Sequence, residues 1–419
     1  MIEYGFLILS LAAAFGFFMA CAIGANDVAN AMGISVGANV LTLRQAIIIA
    51  TIFEALGSIL ASGNVTSTIS HGIINVSVLD HNPYLLINGM MSSLLASGVW
   101  LCLASWQGWP VSTTHTIIGA VLGFGLTCVG IDNIEWSNII SIFVSWIITP
   151  LFSGLCSYIL FRFVKKTIFD SDKPARMAKK TVPYYVFVVV SIMISVVFFG
   201  SLESLGIVID RNVSLFLIAI ISGICSLISY FLLKKIELHE AQKSLKDSYR
   251  LVEKVFGLLA VVTACSMAFA HGSNDVANAI APLAAISAIV GTGSTAISGV
   301  AIPGWIFFLG AFGIVIGLSF YGYKVIATIG NNITDLTPSR GFVAQLATAS
   351  IVVVSSGLGL PVSTTHILVG AVLGVGMARG IEAINLNVVR NIFLSWFITF
   401  PAGMILSILF FEIIGFILG

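Results

Sequence analysis

The sequence predicts an all-α integral membrane protein of about twelve transmembrane helices, in two inverted-topology repeats with broken or re-entrant helices at the midplane. Three observations predict it. Of the 419 residues, 58% are hydrophobic and only 9% charged, with a mean hydropathy of +1.07, which excludes an ordinary soluble domain. Apolar runs such as PYYVFVVVSIMISVVFFG lack the polar–apolar alternation of a membrane β-barrel. Finally, the chain contains a second copy of its own motifs.

Apolar stretches place helices over 5–32, 44–62, 84–105, 112–130, 137–161, 184–200, 213–233, 255–285, 302–323, 342–357, 363–380 and 388–416. The opening MIEYGFLILSLAAAFGFFMA has no Lys or Arg before its apolar run, so it reads as the first of these helices rather than as a signal peptide. With the N-terminus outside, 18 of the 19 basic residues fall in inner loops, leaving Arg211 outside. Two clusters dominate: Arg162, Lys165, Lys166, Lys173, Arg176, Lys179 and Lys180, then Lys234, Lys235, Lys243, Lys246, Arg250 and Lys254. Both termini are then extracytoplasmic. The six cysteines lie singly in apolar surroundings and read as packing residues.

GANDVANAMG at Gly24 recurs as GSNDVANAIA at Gly272, and WPVSTTHTIIGAVLGFG at Trp109 as LPVSTTHILVGAVLGVG at Leu360. IFVSWIIT and IFLSWFIT close the two halves. Five crossings per half, joined by a two-helix hairpin, make the halves enter the membrane from opposite sides. The expected units are a first repeat over 1–161, basic cytoplasmic loops with the connecting hairpin over 162–254, and a second repeat over 255–419.

The first motif supplies Asn26, Asp27 and Asn30, and its copy Asn274, Asp275 and Asn278. Four-residue spacing sets the two asparagines of each motif on one helical face. Gly24 and Gly272 permit either a helix break or close approach of another backbone. Unwound carbonyls and side-chain oxygens are the hard ligands that a sodium ion prefers. An intramembrane carboxylate is costly, so Asp27 and Asp275 are functional candidates by default.

The second motif offers Ser112, Thr113, Thr114 and His115, then Ser363, Thr364, Thr365 and His366. Pro110 and Pro361 suit a helix start, where a hydroxyl caps free amides. Two such ends brought together by inverted symmetry would surround a tetrahedral oxyanion with N–H groups, hydroxyls and positive dipole ends. His115 and His366 could donate protons, bind the anion or orient neighbouring hydroxyls, and the orienting role is expected. Glu54, which lacks a copy in the second half, is a candidate for the cation network or its gate. His71, Asp80 and His81 read as solvated outer-loop residues. His271 receives no role, because Ile23 stands at its place in the first motif.

The duplicated NDVANA and PVSTTH motifs resemble the inorganic phosphate transporter (PiT) family of sodium- or proton-coupled symporters. FEALGSIL at Phe53, HGIINV at His71 and GFVAQLATA at Gly341 extend the resemblance over nearly the whole chain. It implies phosphate held by Ser112, Thr113, Thr114, Ser363, Thr364 and Thr365, with Asn26 and Asn274 close to both substrates. It likewise implies sodium served by Asp27, Asn30, Asp275 and Asn278, and transport by alternating access. Gln345 stands where many eukaryotic members carry a glutamate; with Glu54, His115 and His366 it completes the coupling or gating candidates.

These readings converge on a secondary active transporter, not an enzyme, that imports inorganic phosphate with sodium. A proton-coupled symporter and a sulfate permease of the same fold are the alternatives. No resident cofactor is expected, sodium being the coupling ion and the proton its alternative. The expected partners are phosphate, sodium and the lipid bilayer, without nucleic acid, and a homodimer is compatible with the sequence. The connector Arg162–Pro183 is short beside the large cytoplasmic loop of many eukaryotic members, so the resemblance implies a prokaryotic plasma membrane.

Overall fold

The computed structural model describes residues 4–198, 209–235, 244–295, 300–332, 337–380 and 386–418. These residues form thirteen α-helices: α1 Gly5–Gly37, α2 Leu43–Ala61, α3 Gly63–His71, α4 Pro83–Gln107, α5 Thr113–Cys128, α6 Trp136–Val164, α7 Pro174–Val196, α8 Arg211–Lys234, α9 Leu245–Thr292, α10 Gly304–Asn332, α11 Pro338–Gly357, α12 Thr364–Arg379 and α13 Leu386–Leu418. Among the described residues, β-structure is limited to an isolated antiparallel bridge between Ile74 and Ile134.

Local chemistry sets the helix ends. Thr42 and Gln45 form a capping box at α2, and Asp210 accepts from the Asn212 and Val213 amides at α8. Pro83, Pro174 and Pro338 begin helices where a missing N–H costs nothing. Gly108, with φ of 70°, closes α4 in the left-handed region.

Twelve of these helices are those expected, with three differences. The short, polar α3 occupies a stretch read as outer loop, because a nine-residue segment carries too little apolar signal to register as a span. The helix expected over 255–285 is the 48-residue α9, whose charged first turns begin behind the Ser244 cap. The helix expected at 184 starts at Pro174; its expected end at 199–200 lies outside the described residues, as does Lys243.

Among the described residues, eight helices are long and apolar enough to cross a membrane. In contrast, α5 and α12 have 16 residues each, about 24 Å of helix against a hydrocarbon core of about 30 Å. They are too short to span that core unaided, as the re-entrant elements of the expected fold would be.

The halves interlock rather than sit side by side. α1 packs on α10 of the other half and α9 on α2; α6 packs on α12, and α13 on α5. Gly24 and Gly272 make two of these crossings possible: a methyl group at Gly24 would collide with the Ile314 carbonyl, and one at Gly272 with the Glu54 carbonyl. Close approach is therefore the use made of both glycines. α1 and α9 remain helical through both NDVANA motifs, correcting the expectation of unwound carbonyls there.

Candidate functional site

The breaks in helical structure lie at the PVSTTH motifs. After α4 and α11 the chain runs extended through Ser112 and Ser363, with φ/ψ of −92°/116° and −87°/106°. Each serine caps the following helix, its Oγ accepting from the His115 amide at 3.1 Å or the His366 amide at 3.3 Å. The amides of Thr113, Thr114, Thr364 and Thr365 belong to the first helical turns and have no intrahelical acceptor, so each helix presents donors and a positive dipole end.

The NDVANA helices cross these ends. Asn30 Nδ2 lies 2.8 Å from Thr365 Oγ1 and 3.3 Å from Thr364 Oγ1, while Asn278 Nδ2 lies 3.2 Å from both Thr113 Oγ1 and Thr114 Oγ1. Each motif's last asparagine thus reaches the hydroxyls of the opposite half. Each motif's first asparagine stays within its own: Asn26 Nδ2 donates to the Trp109 carbonyl at 3.0 Å, and Asn274 Nδ2 to the Val362 carbonyl at 2.8 Å. Thr364 Oγ1 donates to Asp275 Oδ2 at 2.6 Å, and Thr113 likewise bonds Asp27.

All twelve residues expected to hold the two substrates are buried and converge on this crossing. Among their buried oxygens, Asn26 Oδ1, Asp27 Oδ2, Asn30 Oδ1 and Asn278 Oδ1 accept no hydrogen bond. Acceptor oxygens gathered at buried carboxylates have the chemistry that could hold a cation.

His271 lies in the same cluster. Its Nε2 is 3.0 Å from Asp275 Oδ2 and 4.0 Å from Asp27 Oδ2, and its Nδ1 is 3.2 Å from Glu54 Oε1. Ligand atoms of Asp27, His271 and Asp275 fall within 4.8 Å of one another, a separation that one ion can bridge. Glu54 therefore joins the network by way of His271.

The comparisons with known proteins agree with this geometry. A family model described as the phosphate transporter family matches residues 23–407. The chain belongs to the phosphate transporter family. Its relatives include a Haemophilus influenzae protein named "Putative phosphate permease", 49% identical over 98% of both chains. The chloroplastic inorganic phosphate transporter 2-1 of Arabidopsis thaliana is 40% identical over 96% of this chain and 72% of its own length. A solved structure described as a sodium-dependent phosphate transporter superposes with a TM-score of 0.91 at 38% identity, over 98% of this chain and 100% of that one. The phosphate transporter family is a family of transporters, and this member is a multi-pass membrane protein of that class.

In this phosphate transporter, the remaining candidates divide by position. Gln345 is buried in a satisfied network, donating to the Ala31 carbonyl at 3.1 Å and Ser35 Oγ at 3.0 Å, and accepting from Thr263 at 3.1 Å. His115 stacks on Trp146 with ring centroids 3.7 Å apart, His366 on Trp396 at 3.5 Å, and the two histidines meet edge to face at 4.3 Å. The His115 ring bonds the Trp396 backbone and the His366 ring the Trp146 backbone, so the histidines brace the starts of α5 and α12 against α13 and α6. His71 ends α3 with Nδ1 2.7 Å from the Ser67 carbonyl, and Asp80 accepts from Thr295.

Sequence reasoning missed His271 and the two tryptophans. The signal for Trp146 and Trp396 was present in the duplicated SWIIT and SWFIT segments. For His271 it lay in the departure from the repeat: Gly272 abuts Glu54 just as Gly24 abuts Ile314, so His271 and Glu54 occupy the places of Ile23 and Ile314.

Proposed function

We propose that this protein imports inorganic phosphate together with sodium by alternating access. The observation that carries the proposal is the double use of Asn30 and Asn278. Each donates its amide N–H to threonine hydroxyls at an anion-binding helix start, while its carbonyl oxygen is left free to bind a cation. One side chain therefore senses both substrates.

Phosphate would lie between the starts of α5 and α12, on the amides and hydroxyls of Ser112, Thr113, Thr114, Ser363, Thr364 and Thr365, bordered by Asn26 and Asn274. Sodium would be held by Asp27, Asn30, Asp275 and Asn278. Placing an anion beside Asp27 and Asp275 without cations is costly in a low-dielectric interior. Bound sodium removes that cost, so sodium and phosphate affinities rise together by linkage. The basic loops support a cytoplasmic position for themselves and outside positions for both termini, and the short connector over 162–183 supports a prokaryotic plasma membrane.

The test is labelled-phosphate uptake into proteoliposomes with an inward sodium gradient or with potassium replacing sodium at matched pH. Accumulation that requires sodium supports the reading. Uptake unchanged in potassium would turn it toward proton coupling, a second reading favoured by His271, whose ring links Glu54 to Asp275. Absence of phosphate uptake in both would make sulfate the next substrate to test.

A further inference from the structure

A groove of about 920 Å³ runs along the outside of the molecule between α6 and α13, with α12 as its floor. Its lining is almost wholly apolar and includes Ile147, Leu151, Tyr158, Met377, Phe397 and Phe400. Leu151 is 69% and Phe397 78% exposed, so the mouth opens sideways toward the bilayer. At its inner end stand His115 and His366, stacked on Trp146 and Trp396.

The geometry points to a binding site for one anionic phospholipid, drawn from the leaflet on the side of the basic loops. The length agrees: Ile147 to Tyr158 is a rise of eleven steps, about 16 Å of helix, against about 15 Å for the hydrocarbon of one leaflet. Charge agrees as well. Exposed Arg162 lies one turn beyond Tyr158 on α6, at the groove's outer end, and exposed Arg390 lies one turn before Phe393 on α13, partway along the groove. Lys165 and Lys166 follow within a turn of Arg162 and are exposed.

An acyl chain fits the groove because nothing polar is required of it, and a headgroup phosphate at the outer end meets the Arg162 guanidinium, which binds such oxyanions in a fork. Anionic headgroups are favoured over zwitterionic ones by their net charge. The lipid's tail would end against the His–Trp stacks that brace the two anion-binding helix starts, so occupancy would stiffen the floor of the transport site. This consequence rests on the proposed phosphate site; the binding does not.

The test uses the full-length protein, delipidated in detergent and titrated with phosphatidylglycerol or phosphatidylcholine under native mass spectrometry. One phosphatidylglycerol per chain is expected, bound about 30-fold more tightly than phosphatidylcholine, the weight of two arginines at a surface. Arg162→Gln with Arg390→Gln should abolish the preference. Phosphatidylglycerol with brominated acyl chains should quench tryptophan fluorescence, and most of that quenching should vanish in the Trp146→Phe, Trp396→Phe double variant. Equal affinity for both lipids would overturn the proposal, as would a preference that survives the arginine changes. Quenching independent of Trp146 and Trp396 would place the lipid elsewhere, and a lipid-free dimer would assign the groove to a second copy; either result defeats it. The quenching measurement on the unaltered protein stands even if an arginine variant fails to fold.

Discussion

His271 Nδ1 lies 3.2 Å from Glu54 Oε1, at positions that in the other half of the molecule are held by Ile23 and Ile314. The same backbone crossing thus carries a polar pair in one half and an apolar pair in the other. Both polar side chains are fully buried, and neither Glu54 oxygen accepts a hydrogen bond. Removing one member strands the other, whereas removing both restores the arrangement that the opposite crossing already uses.

His271→Ile should therefore destabilise the protein by about 3–5 kcal/mol, the cost of leaving a buried charge without its partner. Adding Glu54→Ile should recover the part of that loss due to the stranded Glu54, while Asp275, 3.0 Å from His271 Nε2, stays without that partner. Thermal unfolding in detergent reads the stability, and phosphate uptake should stay abolished in the double variant. A double variant no more stable than His271→Ile would show that the two residues are not energetically coupled.

Asn30→Ala and Asn278→Ala each delete amide contacts to threonines of the opposite half. Each should raise the sodium concentration for half-maximal phosphate uptake about tenfold, equivalent to about 1.4 kcal/mol and within the range for a buried hydrogen bond lost. The two effects should be similar, because the contacts are copies. Uptake measured over a sodium series provides the values.

Ser112→Ala and Ser363→Ala remove the caps on the His115 and His366 amides. A lost cap costs about 1 kcal/mol, so each should weaken apparent phosphate affinity about fivefold if the helix starts loosen with it. The measurement is phosphate KM at saturating sodium. An unchanged KM in both variants would remove these helix ends from the anion site.

Gly24→Ala and Gly272→Ala each drive a methyl group into a carbonyl on a neighbouring helix, and backbone yields less readily than side chain. Both should lower the yield of monodisperse protein in gel filtration, at a cost of at least about 1–3 kcal/mol. Gly223→Ala on α8, where the added carbon meets nothing within 4 Å, should leave the yield unchanged or improve it.

Much of this was legible in the sequence because the signals were repeated. Long apolar runs give helices, and the paired NDVANA and PVSTTH motifs mark the residues that the fold brings together. Asn30 against Thr364 and Thr365 is a contact across more than 330 positions, and the inverted repeat implied convergence of that kind without naming the pair. What stayed hidden had no copy or little hydrophobicity. His271 is a departure from the repeat, and reading down the repeat discounts departures; Glu54 stood out as a lone carboxylate, but its partner did not. α3 is short and polar, and the charged first turns of α9 follow cap chemistry rather than an apolar window. Gly24 and Gly272 were ambiguous because a glycine serves a kink and a close contact equally well.

The exchange of partners between halves also constrains how the protein is made. Asn30 leaves the ribosome more than 330 residues before Thr364 and Thr365, and Asp27 emerges long before His271. During synthesis the first half must therefore wait in the bilayer with its costly polar groups only partly matched. Whatever shelters Asn30 and Asp27 in that interval, whether hydration, early helix pairing or the insertion machinery, must be displaced when the second half threads α9 and α12 into place. Completing the proposed transport site and completing the fold are then one late event, and a chain stopped before residue 271 would hold half of each proposed ligand set without its partners from the second half.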